Sequence, residues 1–213
     1  KKILNLFDDL VAYIIIGIIL GGRLGYVFFY NFKYFLENTS EIFMIWNGGM
    51  SFHGGLIGVI FSTILFCKKN KINSFIFFDL ISLVAPIGIF FGRIANFLNS
   101  ELYGKQTEIF WSVIFPKIDN LTRHPSQIYE ALLEGLILFL ILNLLVQKNM
   151  LNKKGKITSY FLIFYSLFRF LLEFFREPDP QIGYLIINMT MGQILSLFLF
   201  AIGIGLFLKK NEK

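Results

Sequence analysis

Several stretches of this chain stay apolar for about as long as a helix needs to cross a bilayer, and three of them carry an arginine inside. The runs occupy about residues 10–31, 53–67, 75–98, 126–147, 158–175 and 189–208, the second being short. A spanning helix needs roughly 20 mostly apolar residues, because a rise of about 1.5 Å per residue must cross about 30 Å of hydrocarbon. With 55% hydrophobic and 18% aromatic residues in 213, the chain carries more apolar surface than one soluble core of this size hides. The expected fold is therefore all-α: a polytopic membrane helical bundle with six visible spans, in one transmembrane domain over residues 1–213.

Basic residues set an expected orientation. Twelve lysines and arginines lie at residues 1–2, 68–71, 148–156 and 209–213, and five are spread through the longer segments at the other span ends. By the positive-inside bias, both visible ends face the cytoplasm. The loops at about 32–52, 99–125 and 176–188 then face outward, the second long enough for a small external head. The net charge of +6 is mostly topological, and no basic stripe interleaved with aromatics points to nucleic acid.

Arg23, Arg93 and Arg169 lie past the middle of the first, third and fifth runs, so this orientation puts all three in the outer half of the bilayer. His53, between Gly48-Gly49 and Gly54-Gly55, opens the second run from the same side, and Glu101 follows the third. An Arg at a span centre costs about 2.5–3.5 kcal/mol on insertion scales and survives where it faces protein or a wet cavity. Acids are few, so such a cluster needs an anion, and Arg holds a phosphate through two parallel hydrogen bonds. The expected ligand is a lipid phosphate of the outer leaflet. Arg93, Asn96, Ser100 and Gly104 recur at helical spacing and are expected on one face. Tyr165, Arg169, Glu173 and Arg176 form a second ladder in which Arg169 and Glu173 pair. Glu130 and Glu134 are expected to neutralise arginines or pair across helices. Gly22-Arg23-Leu24-Gly25 echoes Gly92-Arg93; its small residues allow close helix approach, and Arg23 reads equally as structural or as part of the site.

Other chemistries find no support. The single cysteine, Cys67, stands beside the inner lysines, and His53 and His124 are the only histidines. Neither an H-E-x-x-H pattern, a Gly-x-Ser-x-Gly elbow nor a phosphate-binding glycine loop is present. No metal or cofactor is expected, and the chain offers no obvious nucleophile of its own.

GRIANFLNSELYG at 92–104 resembles the signature of the bacterial prolipoprotein diacylglyceryl transferases, approximately G-R-x-G-N-F-x-N-x-E-x-x-G, with Ala95 in place of the usual Gly. GGMSFHGGLIG at 48–58, RHPSQIYEALLEG at 123–135 and FRFLLEFFREPD at 168–179 are similar to further family blocks in the same order. The resemblance implies an inner-membrane enzyme that moves the diacylglyceryl group of phosphatidylglycerol onto the lipobox cysteine thiol of a prolipoprotein, releasing glycerol phosphate. It implies substrate contacts by Asn96, Glu101, Gly104 and Tyr165; joined to the residue reading, this gives expected catalytic roles for His53, Arg93 and Arg169 and expected substrate contacts by Arg93, Arg169 and Glu173 as well. His53 or Glu101 would accept the thiol proton. The family normally has seven spans and an outer N-terminus, so the first helix is expected to be missing here. The rival reading is a transporter or flippase for an anionic solute or lipid, disfavoured because alternating access puts its site near the midplane.

Overall fold

Residues 6–178, 183–185 and 188–209 are described here from a computed structural model. Helix α1 (Phe7–Phe29) carries Asp8 and Asp9 in its first turn, where the helix dipole favours acids. A short helix α2 (Phe32–Glu37) and two single 3-10 turns lead to α3 (Phe52–Lys69). Ser51 caps α3, its hydroxyl accepting from the Gly54 amide at 3.2 Å, and Lys68 and Lys69 complement the dipole at its other end. Helix α4 (Ser74–Asn99) is followed by a two-stranded antiparallel hairpin, β1 (Val113–Ile114) and β2 (Thr122–Arg123). Then come α5 (Ser126–Gln147), α6 (Lys156–Leu172) and α7 (Met191–Leu208), the last opened by a capping box between Thr190 and Gln193.

The protein is a helical membrane protein. Among the described residues, α1, α4, α5 and α7 are long and apolar enough to cross a bilayer. Helices α3 and α6, at 18 and 17 residues, occupy the remaining two expected runs. Chain contacts divide it into two compact units, Lys1–Phe77 and Phe78–Lys213, with α4 beginning in the first and continuing in the second.

In the first unit, α1 and α3 cross at backbone contact through Gly17, Gly21 and Gly25 on one side and Gly54 and Gly58 on the other. A Cβ at Gly25 would lie 2.7 Å from the Gly54 Cα, and one at Gly21 would lie 2.9 Å from the Gly58 Cα. Lipid tails are as apolar as leucine, so this close packing, rather than a hydrophobic drive, joins the pair. The expectation that glycines beside Arg23 admit another helix is met at Gly25.

In the second unit, Leu138, Leu142 and Ile157 are fully buried and form a core with Leu83, Phe161, Phe164 and Phe168 around it. Asp79, inside the apolar α4 and 1% exposed, is the polar fixture of this core. Its carboxylate accepts from the Gly155 amide at 2.6 Å, the Thr158 amide at 2.8 Å and the Thr158 hydroxyl at 2.7 Å. It therefore satisfies the free N–H groups at the start of α6, which has no capping side chain of its own.

Candidate active site

Helix α4 delivers Arg93 and Asn96 and then stops abruptly. The Ser100 amide donates to the Phe97 carbonyl at 3.1 Å and the Glu101 amide to the Asn96 carbonyl at 2.9 Å, the paired bonds of a Schellman ending. Ser100 takes the left-handed position with φ +63°. This corrects the expected face: Arg93 and Asn96 share a helix, whereas Ser100 and Gly104 lie beyond its end. The reversal brings Glu101 back, and the Asn96 side-chain amide donates to its Oε2 at 2.9 Å.

Arg93 and Arg169 meet on two buried acids. Glu130 and Glu134 on α5 have fully buried side chains. Arg93 Nε lies 2.9 Å from Glu130 Oε2, and Arg169 NH1 lies 2.6 Å from Glu130 Oε1. Glu134 stands 3.4 Å from Arg93 and 3.5 Å from Arg169. Arg169 NH2 also pairs with Glu173 at 2.8 Å, and Arg176 approaches Glu130 at 3.7 Å. Three guanidinium groups thus face three carboxylates. The expected shortage of acids is overturned, and the expected neutralising role of Glu130 and Glu134 is observed. An incoming anion would meet the outer edges of guanidinium groups whose side chains are 16% exposed for Arg93, 11% for Arg169 and 12% for Arg176.

Both acids sit at or within a widened segment of α5, Ala131–Ile137, which has π-helical hydrogen bonding. Such insertions occur disproportionately at functional sites. Gly135 lets this segment press against α4, since a Cβ there would lie 2.8 Å from the Phe90 Cα.

The second ladder is broken in the same way as the first. Helix α6 ends at Leu172, so Tyr165 and Arg169 are helical, Glu173 is its C-cap and Arg176 lies beyond. Glu173 links α6 to α7: it pairs with Arg169 and accepts from the Thr190 hydroxyl at 3.0 Å. Gly192 makes room for it, as a Cβ there would lie 2.6 Å from Glu173 Oε1. Tyr165 stacks on Phe161 with centroids 5.6 Å apart and sits within electrostatic range of Arg93, Glu130, Glu134 and Arg169.

The hairpin closes over these helix ends. Gly104 pairs with Arg176 in an isolated antiparallel bridge, and a Cβ on Gly104 would lie 2.6 Å from the His124 Cβ. Arg123 on β2 donates to the Gly104 carbonyl at 3.2 Å, pairs with Asp119 at 2.6 Å and with Glu177 at 3.3 Å, and covers the Tyr103 ring. Its hydrogen bonds hold Asp119 below the ordinary carboxylate range. Gln127 donates to the Glu101 carbonyl at 2.6 Å. Burial, and then the charge of Lys105, depress the His124 pKa. None of these braces was anticipated, because each depends on contacts across loops that helical spacing does not reveal.

Arg23 and His53 belong to the first unit. Arg23 is 6% exposed and spends its N–H groups on carbonyls: Ile42 at 2.8 Å, Gly48 at 2.6 Å, Gly49 at 3.1 Å and Glu41 at 2.5 Å. The ring of Phe35 lies against its guanidinium, 5.1 Å away. Of its two expected readings, this geometry supports the structural one: Arg23 clamps the loop leading to His53. Gly48 and Gly49 have φ of +82° and +79°, a left-handed path that suits glycine. His53 is exposed at the second position of α3.

The profile of the family described as "Prolipoprotein diacylglyceryl transferase" matches residues 1–209. Among curated relatives, a phosphatidylglycerol--prolipoprotein diacylglyceryl transferase of Rhodospirillum rubrum is 54% identical over 202 residues, covering 94% of this chain and 74% of the relative. The protein of that name from Rickettsia bellii is 54% identical over 204 residues, covering 95% and 77%. That from Azospirillum brasilense is 48% identical over 210 residues, covering 97% and 78%.

Proposed function

Because the chain belongs to the prolipoprotein diacylglyceryl transferase family, we propose that it moves the diacylglyceryl group of phosphatidylglycerol onto the lipobox cysteine thiol of a prolipoprotein. The thiol sulfur attacks the glyceryl carbon that bears the phosphate. A carbon–sulfur bond forms, the carbon–oxygen bond breaks, and glycerol phosphate departs with the bond's electron pair. The enzyme works in the bacterial inner membrane, with α3 and α6 completing six crossings, the visible ends in the cytoplasm and the reaction at the outer leaflet.

The observation that carries the reading is the Arg93–Glu130–Arg169 cluster at the place where the family signature falls. Arg93 and Arg169 bind the lipid phosphate through their outer edges and stabilise charge on the departing phosphate. Glu130, Glu134 and Glu173 hold those guanidinium groups in position. Asn96 orients Glu101 through the bond between them, and Glu101 or His53 takes the thiol proton. Tyr165 lines the site, and Gly104 lets the head approach it.

The test is transfer of labelled diacylglyceryl from phosphatidylglycerol to a lipobox peptide in liposomes. Arg93→Ala and Arg169→Ala should insert and fold yet lose transfer; normal transfer by either would refute the assignment. Loss of the acidic limb of the pH–rate profile in Glu101→Gln or in His53→Gln, but not in both, identifies the base.

A further inference from the structure

The turn over Ile109–Ser112, closed by the Ser112 amide donating to the Ile109 carbonyl at 3.0 Å, places Phe110 and Trp111 at its two central positions. Turn centres ordinarily go to Gly, Pro, Asn, Asp or Ser. Here the two rings meet edge to face with centroids 4.5 Å apart, Phe110 is 93% exposed and Trp111 50%. Phe110 is the most exposed large apolar side chain among the described residues. In water, this pair would be a costly choice for a loop tip.

Trp111 gives the tip its depth. Its indole N–H donates to the Tyr129 hydroxyl at 2.6 Å, and Tyr129 lies in the first turn of the membrane-crossing helix α5. The Tyr129 ring also meets Phe175, just past the end of α6, at 6.0 Å, and His124 meets the same Phe175 at 5.3 Å. The turn therefore sits beside helix ends, at the level where Trp and Tyr rings gather between headgroups and hydrocarbon. Along α5, Leu132, Leu136 and Leu140 continue from Tyr129 at spacings of three and four and are 43%, 44% and 52% exposed. That stripe is an exposed apolar surface on α5, and the Trp111–Tyr129 bond sets the tip beside its upper end.

We propose that the Phe110–Trp111 turn is seated in the bilayer, with Phe110 among the upper acyl carbons and Trp111 at headgroup depth. Lipid is the partner because the tip is convex, two rings projecting from a tight turn, and because its Trp is bonded to the first turn of a helix long and apolar enough to cross a bilayer. The seat restrains the head, because β1 follows the turn directly and its partner β2 carries Arg123, which is bonded to Gly104 and Glu177.

The experiment uses the full chain in substrate-free liposomes. Trp46 and Trp111 are the only tryptophans, so a Trp46→Phe background makes Trp111 the sole reporter. Phospholipids brominated high on the acyl chain should quench Trp111 more than those brominated at the chain end, and aqueous iodide should quench it least. Adding Phe110→Asp should reverse the order, with iodide gaining and bromolipid losing. A spin label at Phe110→Cys in a Cys67→Ser protein with both tryptophans kept gives an independent reading and should respond to oxygen more than to a water-soluble nickel chelate. Quenching by iodide without bromolipid quenching, or shielding from iodide only after a lipobox peptide is added, would overturn the proposal; the second result would make the tip a peptide contact.

Discussion

Glu130→Gln isolates the electrostatics of the site while preserving its shape. Glu130 is fully buried and touches Arg93 at 2.9 Å, Arg169 at 2.6 Å and Arg176 at 3.7 Å. At an effective dielectric of about 20, each unit-charge pair near 4 Å is worth about 4 kcal/mol, set against several kcal/mol of desolvation per ion. Glutamine keeps an acceptor but leaves the three guanidinium groups facing only Glu134 and Glu173. Removing one partner of a buried pair costs about 3–5 kcal/mol, and this variant should fall in that range. An added anion should then recover part of the loss, because the site now carries a net positive charge. The assay is unfolding in micelles of neutral detergent, with and without added phosphatidylglycerol. Glu130→Gln should be markedly less stable than the parent, and the phospholipid should protect it more than it protects the parent. Equal stability, or equal protection, would refute the reading of Glu130 as the acid that balances the arginines.

Three further outcomes follow from described contacts. Asp79→Ala strips acceptors from two amides and a hydroxyl at the start of α6 and should cost about 3–9 kcal/mol, at 1–3 for each group left unsatisfied; Asp79→Asn should recover part of it in the same unfolding assay. Ser100→Gly relieves a left-handed residue and should stabilise by about 0.5–1 kcal/mol, whereas Ser100→Val should destabilise. His124 has a folded pKa below its ordinary value, so the unfolded chain binds its proton first as pH falls. Its contribution is therefore intact above about pH 6.5 and declines below it until the folded histidine protonates, a slope that His124→Gln should remove from the pH dependence of the unfolding midpoint.

The positions of the long helices were legible because apolar length is a direct consequence of crossing lipid. Arg93 and Arg169 were legible because a cation in such a run demands an explanation, and Glu130 and Glu134 because two acids one turn apart in another run offer one. The helix ends were less so. Ser100 gives no warning of a left-handed residue as glycine would, and the ladder through Arg176 assumed a helix that stops at Leu172. The sequence leaves Arg23 open between a structural role and a place in the site, because its partners are backbone carbonyls, which every loop possesses and no side-chain pattern reveals. Asp79 escaped notice because its partners are amides some 76–79 residues away. The π-helical stretch of α5 leaves no periodic trace in seven residues.

The capping of α6 by Asp79 also has a meaning in time. A ribosome completes α4 long before Gly155 exists, and Arg93 likewise precedes Glu134 by 41 residues. For that interval the nascent α4 holds an acid and a base in its apolar length with neither partner made, each at a cost that rises toward about 2.5–3.5 kcal/mol as it nears the bilayer centre. An α4 waiting in this way has reason to linger beside the insertion machinery rather than partition into lipid. Its release would then be set by the emergence of α5 and α6, so the order in which partners are translated is part of how this membrane protein is assembled.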